Sequence, residues 1–207
     1  MAKRYVLVGM EQIAPQLWWW TAHHPDWKRE VSSYALVDDG ALVLFDPLVP
    51  RDDPDAFWDA LDGDVAHHGP PAILITVYWH TRSSREILER YDGATLWAHE
   101  PALRGMAKRV PYTNTYNGGD VLPGRIEAIT MHHMDEAAFW LPQHRALVVG
   151  DSVIGDDGRA NLCPRSWLRK KESVEEQRAS VERALARRPE RLLLTHGGPM
   201  DSAALEL

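Results

Sequence analysis

Three side chains that can bind a metal follow apolar segments in the second half of the chain. His132 precedes the hairpin pattern AAFWLPQHRALVV, Asp151 follows that hairpin, and His196 follows the run RLLLT. Imidazole and carboxylate groups are ordinary zinc and iron ligands, and two imidazoles with one carboxylate can hold a single ion only if they converge on one point. Without a metal, either imidazole could act as a general base near neutral pH.

The composition limits the classes of function. The 207 residues are 44% apolar and 26% charged, which predicts one soluble globular domain spanning residues 1–207. The net charge of −7 argues against nucleic-acid and membrane-surface partners. No apolar run approaches the roughly 18 residues of a membrane span. A single cysteine, Cys163, excludes an internal disulfide and favours a cytoplasmic location.

The elements alternate in a way that predicts two mixed β-sheets with outer helices. Asp53 and Pro54 begin one predicted helix, which Gly63 ends, and Ser83 or Ser84 begins a second. The capping box of Ser173 and Glu176 begins a third, and a weaker helix spans about 100–108. Strands are predicted at 4–8, 33–38, 41–46, 72–78, 94–98, 125–130, 136–141, 145–149 and 191–195.

Four segments together resemble the metallo-β-lactamase superfamily. The hairpin with Gly150-Asp151 and the terminal Thr195-His196-Gly197 are specific, and the other two are generic. This resemblance implies an αββα four-layer sandwich and metal-dependent hydrolysis of esters, thioesters, amides or phosphodiesters, with two Zn²⁺ ions at one sheet edge. The segments are YALVDDGALVLFDP (34–47), ILIT (73–76), MHHMDEAAFWLPQHRALVVGDS (131–152) and RLLLTHGGP (191–199).

The resemblance places His132 at the histidine before the hairpin, with His133 as the less favoured neighbour. It places Asp151 at the shared aspartate and His196 at the last histidine. The first metal loop of the family, Thr-His-x-His-x-Asp-His, is altered in this chain. His80 is expected to lie out of phase with the ligand positions, because neighbours in an extended segment face opposite sides. A slip of one residue would bring His80 into phase but would put Tyr78 and Arg82 at ligand positions. Thr76 matches the loop, but Val77, Trp79, Thr81 and Arg82 replace its ligands.

Two functions are therefore expected. In the first, the binuclear site is largely lost, no metal is bound, and a cleft lined by Tyr78, Trp79 and His80 binds a small molecule. In the alternative, the chain is an active hydrolase with one zinc or iron on the three ligands named above. A homodimer is an expectation from the resemblance alone.

Arg82 carries a further hypothesis, because it brings a fixed positive charge to a ligand position. Its guanidinium is expected to pair Asp151 and replace a lost metal charge, or else to point to solvent. Ser83, Ser84 and Cys163 are weaker candidates for a catalytic nucleophile, because no spacing indicates a triad around them. The two serines are more simply interpreted as helix caps and the cysteine as a small buried residue. The run WWW at 18–20 is interpreted as a loop packed on the core or as a pocket wall.

Overall fold

The computed structural model describes residues 10–207, which contain two large β-sheets and one small sheet. The first sheet has seven strands in chain order. Its first four strands pair antiparallel, and the fourth to the seventh pair in parallel. These strands are β1 (Glu11–Ala14), β2 (Leu17–His24), β3 (Arg29–Asp38), β4 (Ala41–Phe45), β5 (Ala72–Leu74), β6 (Thr95–His99) and β7 (Asn114–Tyr116).

The second sheet has six strands and contains one parallel pair, between the strands that lead to Asp151 and to His196. Both residues therefore lie at the same edge of this sheet. The strands are β8 (Val121–Leu122), β9 (Ile126–Thr130), β10 (Ala137–Leu141), β11 (Ala146–Val149), β14 (Arg191–Leu194) and β15 (Gly198–Asp201), and the small sheet contains β12 (Val153–Asp156), β13 (Arg159–Leu162) and β16 (Leu205–Glu206).

Residues 10–207 contain four α-helices, of which three begin at the predicted caps and the fourth lies within the weaker helix predicted at about 100–108. Asp53 Oδ1 accepts a hydrogen bond from Ala56 N, and Ser173 Oγ accepts one from Glu176 N. The predicted stop at Gly63 is wrong: the first helix continues to Gly69, whose φ of 83° favours glycine and ends it. The helices are α1 (Pro54–His68), α2 (Ser84–Arg90), α3 (Leu103–Met106) and α4 (Val174–Leu185).

The two faces of β3 belong to different cores, as the two-residue period of a strand requires. Ala35 and Val37 are in a cluster with Phe57 of α1, whereas Tyr34 and Leu36 are in a cluster with residues of the second sheet. The second sheet divides in the same way, because its outer residues form a third cluster that includes Val181 of α4. The layers are thus helix, sheet, sheet and helix, which confirms the predicted αββα sandwich.

Three predicted segments differ from the structure or lie outside it. The strand predicted at 72–78 ends at Leu74, after which residues 76–83 bend and turn. The tryptophans at 18–20 lie in β2 rather than in a loop. The strand predicted at 4–8 lies outside the described residues. Within residues 10–207, no helix is long and apolar enough to cross a membrane.

A buried hydroxyl links the two sheets, because Tyr34 Oη donates to Leu194 O at 2.7 Å. Tyr116 is also buried, but its hydroxyl has no hydrogen-bond partner among the residues that the structure describes. We expect Tyr34→Phe to lower the free energy of unfolding by about 1–2 kcal/mol, because it removes a buried hydrogen bond. The matched control Tyr116→Phe should be neutral or stabilising. Urea denaturation measures both values, and equal effects would contradict the assigned link.

Candidate metal centre

His80 lies in the turn after β5 and is fully buried. Its Nδ1 is 2.9 Å from Asp46 Oδ2, and its Nε2 is 3.3 Å from Asp151 Oδ1. The expectation that His80 points away from the site is wrong, because the segment is not extended and the alternation of a strand does not apply to it. His80 is the histidine that the first half of the chain contributes to the candidate metal centre.

Asp46, at the end of the hairpin of β3 and β4, organises this turn. Its carboxylate accepts hydrogen bonds from Thr76 N at 2.8 Å, Thr76 Oγ1 at 2.5 Å and His80 Nδ1 at 2.9 Å. A carboxylate only accepts hydrogen bonds, so His80 carries a proton on Nδ1. This contact directs Nε2 toward Asp151, as carboxylates do behind many metal-binding histidines.

Asp151 follows β11, where Gly150 allows a close approach to the turn. A Cβ at position 150 would lie 2.6 Å from Thr76 Oγ1. Glu136 fixes the backbone on both sides of Asp151 by accepting hydrogen bonds from Gly150 N at 2.9 Å and Ser152 N at 2.8 Å. Burial and the Asp151 charge raise the pKa of Glu136 to about 8.

His196 completes a group whose ligand atoms all lie within 4.8 Å of one another: His80, Asp151 and His196. His196 Nε2 is 3.1 Å from Asp151 Oδ1. Within residues 10–207, His80 Nε2 and Asp151 Oδ1 are both buried and neither makes a hydrogen bond. Two unsatisfied buried atoms that converge with a second imidazole fit one zinc or iron ion.

The charges in this group are strongly coupled. Burial lowers the pKa of His80, but Asp151 and Asp46 outweigh it and raise that pKa to about 9. Burial opposes ionisation of Asp151, but the two imidazoles hold its pKa well below the ordinary value. Burial lowers the pKa of His196. The centre therefore contains an ionised carboxylate between two imidazoles.

His132, the predicted ligand, lies apart from this group. Its backbone N donates to Ser180 Oγ at 2.8 Å, and its Nε2 is 3.3 Å from Glu176 Oε2, so it contacts α4. His133 is buried and its Nδ1 lies 2.9 Å from Glu172 Oε2. The structure therefore brings together Asp151 and His196, but with His80 in place of His132.

Arg82 does not form the predicted ion pair with Asp151, and its guanidinium does not point to solvent either. Its Nη1 donates to Ser32 O and Asp46 O, both at 2.7 Å, and to Ser33 Oγ at 3.3 Å. The backbone at Arg82 has a φ of 38°, and the hydrogen bonds direct the side chain toward the ends of β3 and β4. The positive charge therefore supports the Asp46 segment.

A cleft of about 1060 Å³ opens beside the centre, and Trp79, Asp151 and His196 line it. The Trp27 ring lies over the centre, 5.5 Å from the His80 ring and 5.8 Å from the His196 ring. Tyr78 is not a lining residue: its ring packs edge-on against Trp79 at 4.6 Å.

The candidate nucleophiles have structural roles. Ser83 Oγ accepts a hydrogen bond from Val49 N, and Ser84 is fully buried. Cys163 is buried beside Gln177, and burial raises the pKa of its thiol to about 12. Trp18 and Trp20 belong to the core between the first sheet and its helices, whereas Trp19 lines a second cavity of about 600 Å³.

Sequence analysis missed three residues of the centre. Asp46 has a usable signal, since an aspartate ends a buried strand in the segment that carried the resemblance. Glu136 stands beside a histidine-rich turn, but no local pattern shows that it faces Gly150. Trp27 lies in the turn after β2, where the sequence gives no indication of contact with His80.

Comparisons with known proteins agree with this geometry at the level of the fold. No protein-family model matches the chain, and no curated protein matches it. Among solved structures, the DIM-1 metallo-β-lactamase is similar over 94% of this chain and 92% of its own, with a TM-score of 0.72 and 19% identity.

Two further structures extend the comparison. The metallo-β-lactamase FIM-1 from Pseudomonas aeruginosa, solved in a mono-zinc form, covers 94% of this chain and 90% of its own, with a TM-score of 0.68 and 10% identity. A metallo-β-lactamase family protein from Thermus thermophilus is similar over 93% of this chain and 77% of its own length, with a TM-score of 0.63 and 18% identity. The chain has the metallo-β-lactamase fold, which confirms the resemblance inferred from the four segments.

The Asp46 contact predicts the behaviour of Asp46→Asn. An asparagine amide that donates to His80 Nδ1 would move the imidazole proton to Nε2, the atom that faces the centre. We expect ¹⁵N NMR of the imidazole, recorded above the His80 pKa of about 9 so that the ring is neutral, to report this change of tautomer, and zinc affinity to fall by about 10–100-fold.

Asp62→Asn is the matched control, because Asp62 accepts hydrogen bonds from Arg90 and Tyr91 in a different part of the protein. It should leave the His80 tautomer and the zinc affinity unchanged. A normal tautomer in Asp46→Asn would contradict the role given to Asp46.

Proposed function

We propose that the chain is a metal-dependent hydrolase with a single zinc or iron ion held by His80, Asp151 and His196. The observation that carries this proposal is the convergence of three buried ligand atoms, of which His80 Nε2 and Asp151 Oδ1 lack hydrogen bonds. The mono-zinc form of FIM-1, a structural neighbour, is compatible with one ion in this fold.

Different residues of the chain would have different roles in hydrolysis. A metal ion bound here would polarise the scissile carbonyl and lower the pKa of its bound water. Asp46 holds His80 in the tautomer that leaves Nε2 free, and Glu136 fixes the backbone around Asp151. Trp27 covers the two imidazoles and would exclude bulk water from the reacting group.

The cleft favours a small anionic substrate with a flat apolar part. Its volume of about 1060 Å³ suits a small molecule. Within residues 10–207, Arg29 and Arg51 line the cleft without an ion pair, so their charges are available to an anion. The apolar part would lie against the four tryptophans of the lining, which are Trp27, Trp58, Trp79 and Trp167.

A second candidate is a non-catalytic relative that binds a small molecule without metal. The loop residues Val77, Trp79 and Arg82 favour it, because none is an ordinary metal ligand and each occupies a ligand position of the family pattern. In this case His80 would stay protonated between Asp46 and Asp151. The cytoplasmic location and the homodimer stay predictions under either function.

Metal content separates the two candidates. We expect protein purified without chelator or histidine tag to hold about one equivalent of zinc or iron, because three ligand atoms serve one ion. His80→Ala and His196→Ala should lose it, and the matched control His132→Ala should retain it. Elemental analysis measures all four proteins. Two equivalents, or loss of metal in His132→Ala, would contradict the proposed ligand set.

Hydrolysis tests the activity itself. We expect the metal-loaded protein to cleave nitrophenyl esters, with a higher kcat/KM for an ester that carries a free carboxylate than for a neutral one, because Arg29 and Arg51 lack partners. Chelation should abolish the activity, and His80→Ala should lower kcat/KM by at least about 100-fold, consistent with loss of a metal-bound nucleophile. A kcat/KM of His80→Ala that equals that of the wild type would contradict the proposal.

A further inference from the structure

Trp79 occupies a ligand position of the family pattern but cannot bind a metal, because its indole N–H is only a donor. Its Nε1 donates to Asp151 Oδ2 at 3.1 Å. The two carboxylate oxygens of Asp151 therefore face different groups: Oδ2 faces the indole, and Oδ1 faces His80 Nε2 and His196 Nε2. Only Oδ1 is left without a hydrogen bond.

The indole is held in this position by its neighbours. Its ring packs edge-on against Tyr78 at 4.6 Å and stands nearly perpendicular to the His80 ring at 6.3 Å. The side chain is half-buried in the wall of the cleft. A donor that is fixed by packing on two sides sets the rotation of the carboxylate that it contacts.

This geometry limits how Asp151 can bind a metal. A carboxylate that coordinates through both oxygens must turn both of them toward metal. Here Oδ2 is turned toward the indole N–H and Oδ1 toward the two imidazoles, so an ion between the imidazoles would meet Oδ1. Of the other altered positions, Val77 and Arg82 offer no ordinary ligand atom, and Thr81 offers only a neutral hydroxyl.

We propose that Trp79 is a positioning residue that fixes the Asp151 carboxylate so that Oδ1 is the oxygen presented to a single metal ion between His80 and His196. This inference rests on the proposed function, because it concerns the way in which the metal is held. Under this proposal the indole N–H of Trp79 has a specific role, which a side chain that only fills space would not have.

The variant Trp79→Phe keeps an aromatic ring and removes the N–H group. Trp97→Phe is the matched control, because Trp97 Nε1 donates to Thr95 Oγ1 at 3.2 Å and its ring lies in the core between the sheets. Titration of each metal-free protein with Co²⁺ gives the stoichiometry, the affinity and the visible absorption spectrum, which reports the coordination of the ion.

We expect one equivalent of Co²⁺ in the wild type and in Trp97→Phe, with the same spectrum and affinity. In Trp79→Phe we expect an affinity that is lower by about 10–100-fold, as for loss of other contacts behind a ligand, with an altered spectrum because Oδ2 becomes free. An unchanged affinity, stoichiometry and spectrum would overturn this inference while leaving the proposed function intact.

A readout on the metal-free protein tests the contact separately. The indole N–H resonance of Trp79, assigned by its loss in Trp79→Phe, should shift in Asp151→Asn, whereas that of Trp97 should not. A Trp79 resonance that does not respond would overturn the inference. Absence of metal binding by the wild type would instead overturn the proposed function, and this inference with it.

Discussion

The hydrogen bond between Asp46 and His80 is the contact on which the candidate centre depends. Both side chains are fully buried, and they are 34 residues apart in the chain. The contact joins the end of the β3–β4 hairpin to the turn after β5, and it sets the position, the tautomer and the charge of His80. Removing Asp46 would also remove the two hydrogen bonds that it accepts from Thr76. Removing its partners would leave a buried carboxylate without hydrogen bonds, which is costly.

The two halves of the fold meet beside this contact, where His80 faces Asp151. Asp46 and His80 come from the first sheet, whereas Asp151 and His196 follow the parallel strands β11 and β14 of the second. Asp151 stands between the imidazoles, and Trp79 holds its other oxygen. A metal at this centre would replace the proton that the two carboxylates favour on His80, so metal binding and protonation compete for one site.

The order of the segments was sufficient to predict the sandwich and the positions of Asp151 and His196. Strand ends and helix starts are encoded locally, by apolar runs and by the residues that cap helices. The predicted orientation of His80 is wrong because the alternation of side chains in a strand does not continue past Leu74 into the turn. That turn is hydrogen-bonded to Asp46, a distant residue whose contact no local pattern reveals.

His132 and Arg82 were misjudged for a related reason. The turn before β10 has positive φ at Met134 and Asp135, and in that turn His132 lies against α4. Arg82 also has positive φ, and its guanidinium binds oxygen atoms of Ser32 and Asp46. A non-glycine residue in the left-handed region cannot be anticipated from residue type alone, because neighbouring structure imposes it.

X-ray absorption at the zinc edge of the metal-loaded protein tests the central claim most directly. The account predicts two imidazole nitrogens at about 2.0–2.1 Å with oxygen ligands in the remaining positions, and no metal–metal distance. A third imidazole, or a second metal at about 3.5–4 Å, would contradict a single ion held by His80, Asp151 and His196.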